Sequence, residues 1–480
     1  MARNAAIKEA KRKQKELKEI AKWEKEATRK KGSNYIYYLI FLISVVYIAD
    51  EVASQIGGQM QSIIAQVLYA PVFGAEFAVA RMSALGLLSY VGLLLALLYK
   101  PLSDIYGRKL FLIINTLGMG VGLIIISIST SIPVYILGAV TLSFFIPHDM
   151  QAVYILESMP PKRRATMYAV IKAIATLGIM LIPVLRSMIM GGDITKWRNV
   201  YLVPAIISIT AAIFAISFIR ETEPFIKKRL ELLKMSDEEK LAAKKDKLAE
   251  NAQGGFISAV RFAFRHKQLR WLIIGGGFIS WGIVITLYYE TIMTYGYATP
   301  LIAQGMAVEA AKAQAMPFVT QALFLFPIGS AFFQFIQGFL SDKWGRKPTT
   351  IVMCVCALCS FVLYYFGANN SWSPYIVGFF CGSAAGSYWA TTDIVSSIMC
   401  AESTPTNLRA SVLSILPLFS LLFFSIALVT AIVSMNMLGD AYTGMVALFI
   451  AVPGMFIGLI ILFLKVKETK NVNLDEITGQ

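Results

Sequence analysis

Apolar residues come in runs of about 20 along most of this chain, with short polar breaks between them. An α-helix needs a run of that length to cross the hydrocarbon of a bilayer. The pattern predicts helices at about 35–64, 82–99, 110–129, 132–157, 166–190 and 199–219, then at about 271–297, 316–340, 349–367, 374–401, 410–434 and 443–465. Twelve crossings are therefore expected, six on each side of a polar segment. That segment, 221–270, carries twelve Lys or Arg and eight acids and is helical in pattern without a large apolar face. It reads as a linker. The expected division is a basic tail 1–34, a six-helix unit 35–220, the linker 221–270, a second six-helix unit 271–466 and a tail 467–480.

The polar breaks repeat. Asp104-Ile105-Tyr106-Gly107-Arg108-Lys109 returns as Asp342-Lys343-Trp344-Gly345-Arg346-Lys347, both D-x-x-G-R-K. Glu157, Pro160 and Arg164 return as Glu402, Pro405 and Arg409, both E-x-x-P-x-x-x-R. Arg220-Glu221-Thr222-Glu223 answers to Lys467-Glu468-Thr469-Lys470. Three ordered matches at offsets of 238 to 247 residues make the chain two copies of one unit, the construction of many secondary transporters.

At these residues the chain resembles the major facilitator superfamily, and within it the sugar-porter branch. The resemblance implies an all-α membrane protein of twelve transmembrane helices in two six-helix bundles. It also gives the repeated charges a role: Asp104, Gly107, Arg108, Glu157, Arg164 and Glu221, with Asp342, Gly345, Arg346, Glu402, Arg409 and Glu468, form a cytoplasmic gate. Its salt bridges hold the outward-open state and break as the inside opens. Lys100 stands where the family pattern has a glycine; Gly338 fits it in the second copy.

Composition narrows the class. With 57% hydrophobic and 15% charged residues, a soluble fold is excluded. A net charge of +15 would suggest nucleic acid in a soluble chain, but here the excess sits in the tails and alternate loops. The positive-inside rule accounts for it and places both termini, the linker and both D-x-x-G-R-K loops in the cytoplasm. The first 31 residues hold twelve Lys or Arg and five Glu. This tail is read as a topogenic segment or as a helix on an anionic leaflet. No cleavable signal peptide is visible. Cys354, Cys356, Cys359, Cys381 and Cys400 lie in apolar surroundings with neither histidine near in sequence, so small buried hydrophobes are expected rather than a metal site. No phosphate-binding loop and no catalytic constellation is apparent. The expectation is a monomeric, non-enzymatic membrane protein, in the plasma membrane, without cofactor, whose partners are a small-molecule substrate, protons and lipid.

Ionisable groups inside a membrane are costly and therefore candidates for function. Asp50 and Glu51 lie in helix 1, His148 and Asp149 in helix 4, Lys172 and Arg186 in helix 5, Glu290 in helix 7 and Asp393 in helix 10. Asp149 is a candidate partner of Lys172 or Arg186. Tyr47-x-x-Asp50 resembles the G-Y-D segment of sugar porters, which implies that Asp50 takes the coupling proton, with Glu51 as the neighbouring candidate. Trp197-Arg198 and Tyr288-Tyr289-x-Thr291-Ile292 also resemble sugar-porter segments. The sugar-gripping amides do not match. Lys172 stands where that family has Gln, and Phe278, Ile279 and Val284 stand for two Gln and an Asn. A site without those amides loses most of its discrimination for a polyol. With Lys172, His148, Asp149, Arg186, Phe278, Trp281, Tyr288, Tyr289, Glu290, Trp389 and Asp393 as its expected lining, it suits an amphipathic organic anion better than a hexose. A sugar symporter, a multidrug or organic-cation exporter and a transport-inactive sensor remain as alternatives.

Overall fold

The computed structural model describes residues 2–28, 35–99, 102–146, 154, 157–158, 164–236, 238–239, 256–404 and 406–470. The described chain is helical, without strands. Among the described residues, ten helices are long and apolar enough to cross a membrane. In order they are Tyr35–Gln59, Ala78–Ala96, Arg108–Ser127, Ile171–Met190, Ile194–Phe218, Lys267–Leu287, Val308–Trp344, Arg346–Asn369, Phe419–Leu438 and Asp440–Lys465. Ile132–Phe145 and Pro374–Asp393 occupy the fourth and tenth places in the series. The expected order 1 to 12 is kept below.

The boundaries differ from the expected ones where backbone geometry breaks. Helix 1 breaks at Met60 and runs on through a π turn, Ala65–Tyr69, to Phe73 rather than stopping at Ile64. A π turn also closes helix 5 at Arg186–Met190 and follows helix 10 at Ile394–Met399. Helix 7 is divided at Ser280–Gly282 and again at Tyr288 before Tyr289–Ala303. Helix 8 is one continuous helix despite Pro317 and Pro327. Within a membrane, neighbouring helices can satisfy the carbonyls a proline frees.

The two halves pack alike. Helix 3 lies against helices 4 and 6, and helix 9 against helices 10 and 12; helix 2 lies against helix 4 and helix 8 against helix 10; helix 1 touches helices 5 and 6 as helix 7 touches 11 and 12. Small residues set the closest approaches. Gly378, Gly382 and Gly386, one every fourth residue on helix 10, lie on backbone carbonyls of Ala322, Phe326 and Ser330 in helix 8. A Cβ at any of them would strike that backbone. Lipid gives helices no hydrophobic reason to associate, so close van der Waals contact has to supply it.

Between the halves, helix 5 packs on helix 8, helix 2 on helix 11 and helix 1 on helix 7. The first two pairs are equivalents under the repeat. Outside the bundle, Ala2–Thr28 is a helix, and Glu223–Lys234 and Phe256–Arg265 lie in the linker.

Candidate functional site

The repeated motifs build the same structure twice. Gly107 has φ 115 and ψ 152, Gly345 φ 109 and ψ 168. This region is essentially glycine-only. The turn starts the next helix at once and turns its first N–H groups outward. Glu221 accepts from Arg108 N at 2.9 Å and Lys109 N at 3.1 Å; Glu468 accepts from Arg346 N at 2.8 Å and Lys347 N at 3.0 Å. Carboxylates belong at the positive end of a helix dipole. The arginine side chain turns the other way. Arg108 Nε lies 3.4 Å from Glu157 and Arg346 3.1 Å from Glu402. Those acids accept from Thr222 and Thr469, both at 2.6 Å. Arg346 also pairs with Asp342 at 2.8 Å.

Among the described residues, each of these contacts lies within its own half. The side chains of Asp104, Arg164 and Arg409 fall outside the described residues, so the expected pairs of those arginines are not seen. Burial pushes the Glu221 carboxyl up, against the pull of three backbone N–H groups. Burial also acts on Glu468, but four backbone N–H groups hold it below the usual glutamate range.

The polar contacts found between described residues of the two halves lie at the opposite end of the helices. Glu290 is fully buried and accepts from Ser62 N at 2.9 Å, Ser62 Oγ at 2.7 Å and Arg186 Nη1 at 3.2 Å. The same Arg186 nitrogen donates to the Gln59 carbonyl. Thr291 donates to Gln61 at 2.9 Å, and Gln66 to Glu309, which also pairs with Lys312 at 3.2 Å. Buried Asp440 accepts from Val79 N at 2.6 Å and Ala80 N at 2.9 Å, capping the first turn of helix 2 from the other half. Its own N–H donates to the Glu76 carbonyl at 2.7 Å.

Between helices 2, 7, 10 and 11 lies a cavity of about 560 Å³. Tyr90, Tyr388, Trp389, Phe419 and Phe424 give it aromatic walls, and Ser280, Thr392, Ser396, Ser397 and Ser420 give it hydroxyls. Tyr90 meets Phe424 edge-on at 5.7 Å across the halves. Asp393, one residue beyond the cavity-lining Thr392, is exposed. It lies within electrostatic reach of half-buried Lys172 of helix 5.

The expected residues thus separate. Arg186 and Glu290 meet at the interface; Asp149, a candidate partner of Lys172 or Arg186, lies outside the described residues. Lys172 and Asp393 lie within electrostatic reach of each other, and Trp389 lines the cavity. Tyr288 borders a second, smaller cavity, and Tyr289 stacks on Phe326 at 4.7 Å with its ring against Gly58. Phe278 and Trp281 were expected to wall the substrate space. Phe278 packs on Phe423 and Trp281 on Gly454, both in the second half, and neither lines the cavity. Asp50 is fully buried in the first half and Glu51 partly so. His148 and Asp149 lie outside the described residues. Among the described residues no cluster could hold a metal. Ser62, Gln61, Gln66, Glu309 and Asp440 were not anticipated. Asp440, just after an apolar run, was the one ionisable residue among these whose position could have drawn attention.

Two like-packed helical halves, joined at one end around a central cleft, define a membrane carrier rather than an enzyme. The chain belongs to the Major Facilitator Superfamily, whose model matches residues 36–415 and 291–479. An uncharacterized MFS-type transporter of Bacillus subtilis (strain 168), YfkF, is 35% identical over 104 residues, 21% of this chain and 23% of that protein. Among solved structures, the xylose transporter XylE from E. coli in an inward open conformation covers 92% of this chain and 99% of its own at 14% identity, with a TM-score of 0.60. The nucleoside transporter NupG matches 89% of this chain and 99% of its own at 15% identity and 0.61. A bacterial homolog of the lysosomal transporter Spinster, inward-facing and unoccupied, matches 91% and 96% at 15% identity and 0.56.

Proposed function

We propose that this transporter moves a small amphipathic organic solute by alternating access, that it crosses the membrane twelve times with both termini and the linker in the cytoplasm, and that the state described is closed to the outside. The observation that carries this reading is the distribution of contacts. Glu290, Arg186, Ser62 and Asp440 join the halves at the end away from the motifs, while the contacts seen among the described motif residues lie within one half. In this reading the motif charges re-pair across the halves when the inside shuts.

The cavity supports the substrate class. Among its described lining residues there is no side-chain amide to grip a polyol, and its aromatic walls favour hydrocarbon or ring surface. Lys172 is the cation for an anionic group. A second reading rests on Asp393, which lies within electrostatic reach of the same lysine and would draw a cation instead. Competition binding to purified protein separates the two. Lys172→Gln should weaken organic-anion binding about tenfold or more, as loss of a charge-assisted contact does; Asp393→Asn should leave it intact. The reverse result favours the cation reading, and tight hexose binding by the wild type overturns both.

Asp50 is proposed as the coupling group, a fully buried carboxylate inside helix 1. Asp50→Asn should abolish uphill uptake while substrate exchange persists. Unchanged pH-driven accumulation would pass the role to Glu51 or Glu290.

A further inference from the structure

The amino-terminal helix, Ala2–Thr28, is not a free tail. It docks on the linker helix Glu223–Lys234 through one buried face. Trp23 meets Phe225 edge-on at 5.5 Å and packs with Ile226. Glu19 pairs with Arg229 at 2.7 Å and Glu24 with Lys234 at 2.7 Å. The docking consumes acids of the amino-terminal helix, which leaves its other side more basic than its composition suggests.

That side is a stripe. Lys11, Lys15, Lys18, Lys22 and Lys25 recur at intervals of four, three, four and three residues, and all are exposed. At 3.6 residues per turn they fall on one line about a third of a turn from Trp23; Glu19 borders that line, and Lys22 lies over the Trp23 ring at 5.0 Å. The pair of helices is tethered close to the bilayer at both ends. Linker residues 219–222 separate Phe218 of helix 6 from the docked helix. Residues 29–34 separate Thr28 from Tyr35 of helix 1, a reach of at most about 25 Å.

We infer that this docked pair is a membrane-surface element whose lysine stripe binds the anionic headgroups of the leaflet on its own side. The occupant follows from charge and reach. A lysine held within a Debye length of an anionic surface is worth about the attraction that gathers polybasic segments there. A stripe on a helix so tethered meets headgroups before any other polyanion. Its pairing with the linker helix would then fix the linker, which joins the two moving halves, to the lipid surface. The side on which this happens rests on the topology proposed above.

The test uses the full chain in nanodiscs of phosphatidylcholine alone or mixed with phosphatidylserine, read by amide hydrogen exchange over residues 11–28. Exchange should slow about tenfold or more in the anionic discs, and high salt should remove the difference. Replacing the five stripe lysines by Gln should abolish the lipid effect. A cysteine crosslink between positions 19 and 229 should still form in that variant, which shows that docking and folding survive. Equal exchange in both lipids, lipid-dependent protection that persists in the variant, or protection given equally by soluble RNA in neutral discs would overturn the inference. Labelling of Lys18→Cys in intact cells by an impermeant reagent tests the topology separately. Labelling from outside would overturn the cytoplasmic placement while leaving the lipid measurement to stand on its own.

Discussion

Glu290 and Arg186 are both almost wholly buried, at 0% and 3% exposure, and they belong to different halves. Removing one member of a buried ion pair leaves the other charged and unpaired, at a cost of about 3–5 kcal/mol. Replacing both with apolar side chains of similar size costs far less, because neither desolvated charge remains. Glu290→Gln and Arg186→Met are therefore each expected to lower the thermal midpoint of the purified protein sharply. The double variant Glu290→Met with Arg186→Met should recover much of that loss. A double variant as unstable as the two singles combined would mean that the residues act independently, and that the latch lies elsewhere. Ser62 adds two donors to the same carboxylate, so Ser62→Ala should have a smaller effect of the same sign, about 1 kcal/mol.

At the scale of elements, the turn before helix 3 and the turn before helix 9 are one device used twice. A Cβ on Gly345 would stand 2.6 Å from Glu468 Oε2, and one on Gly107 would collide with Glu221. Backbone strain alone is of order 1–3 kcal/mol in this region of φ and ψ. Gly107→Ala and Gly345→Ala should each destabilise by at least that much. The two losses should add, since the sites lie in different halves and share no partner. Thermal unfolding of the two singles and the double checks this; a strongly subadditive double would show the networks to be coupled across the cleft. These turns were legible in the sequence because the motif is local and repeated. Helix identity and order were legible for the same reason, since an apolar run of fixed length reports a crossing. The far-end latch was not. Ser62 and Glu290 are 228 residues apart and Val79 and Asp440 361, and periodicity states which face is buried without naming what covers it. The breaks in helix 7 were also silent. Phe278 and Trp281, on either side of the first break, pack on Phe423 and Gly454 of the second half.

At the scale of the whole molecule, the halves are joined through packed helices and a short set of polar contacts at one end. Carriers of this construction work by rocking one half against the other about a site near the middle. The Asp440 clasp is suited to set that balance. Its carboxylate caps two N–H groups at the start of helix 2, where the helix dipole favours a negative charge. Asp440→Asn keeps the shape, removes the charge and leaves one oxygen to accept, so it should cost the closed state about 1 kcal/mol or somewhat more. A carrier's two states differ by only a few kcal/mol, so a change of that size moves the populations several-fold. Spin labels at Phe73 and Gln304 report the far end, and labels at Tyr106 and Lys343 the motif end; Tyr106 and Phe73 are exposed. In Asp440→Asn the far-end distance distribution should gain a longer component while the motif-end distribution gains a shorter one. The two changes should match in population, because a rocking half cannot open one end without closing the other. A longer far-end distance with no change at the motif end would mean local fraying of helix 2. No change at either end would mean that Asp440 caps a helix and does not take part in the gate.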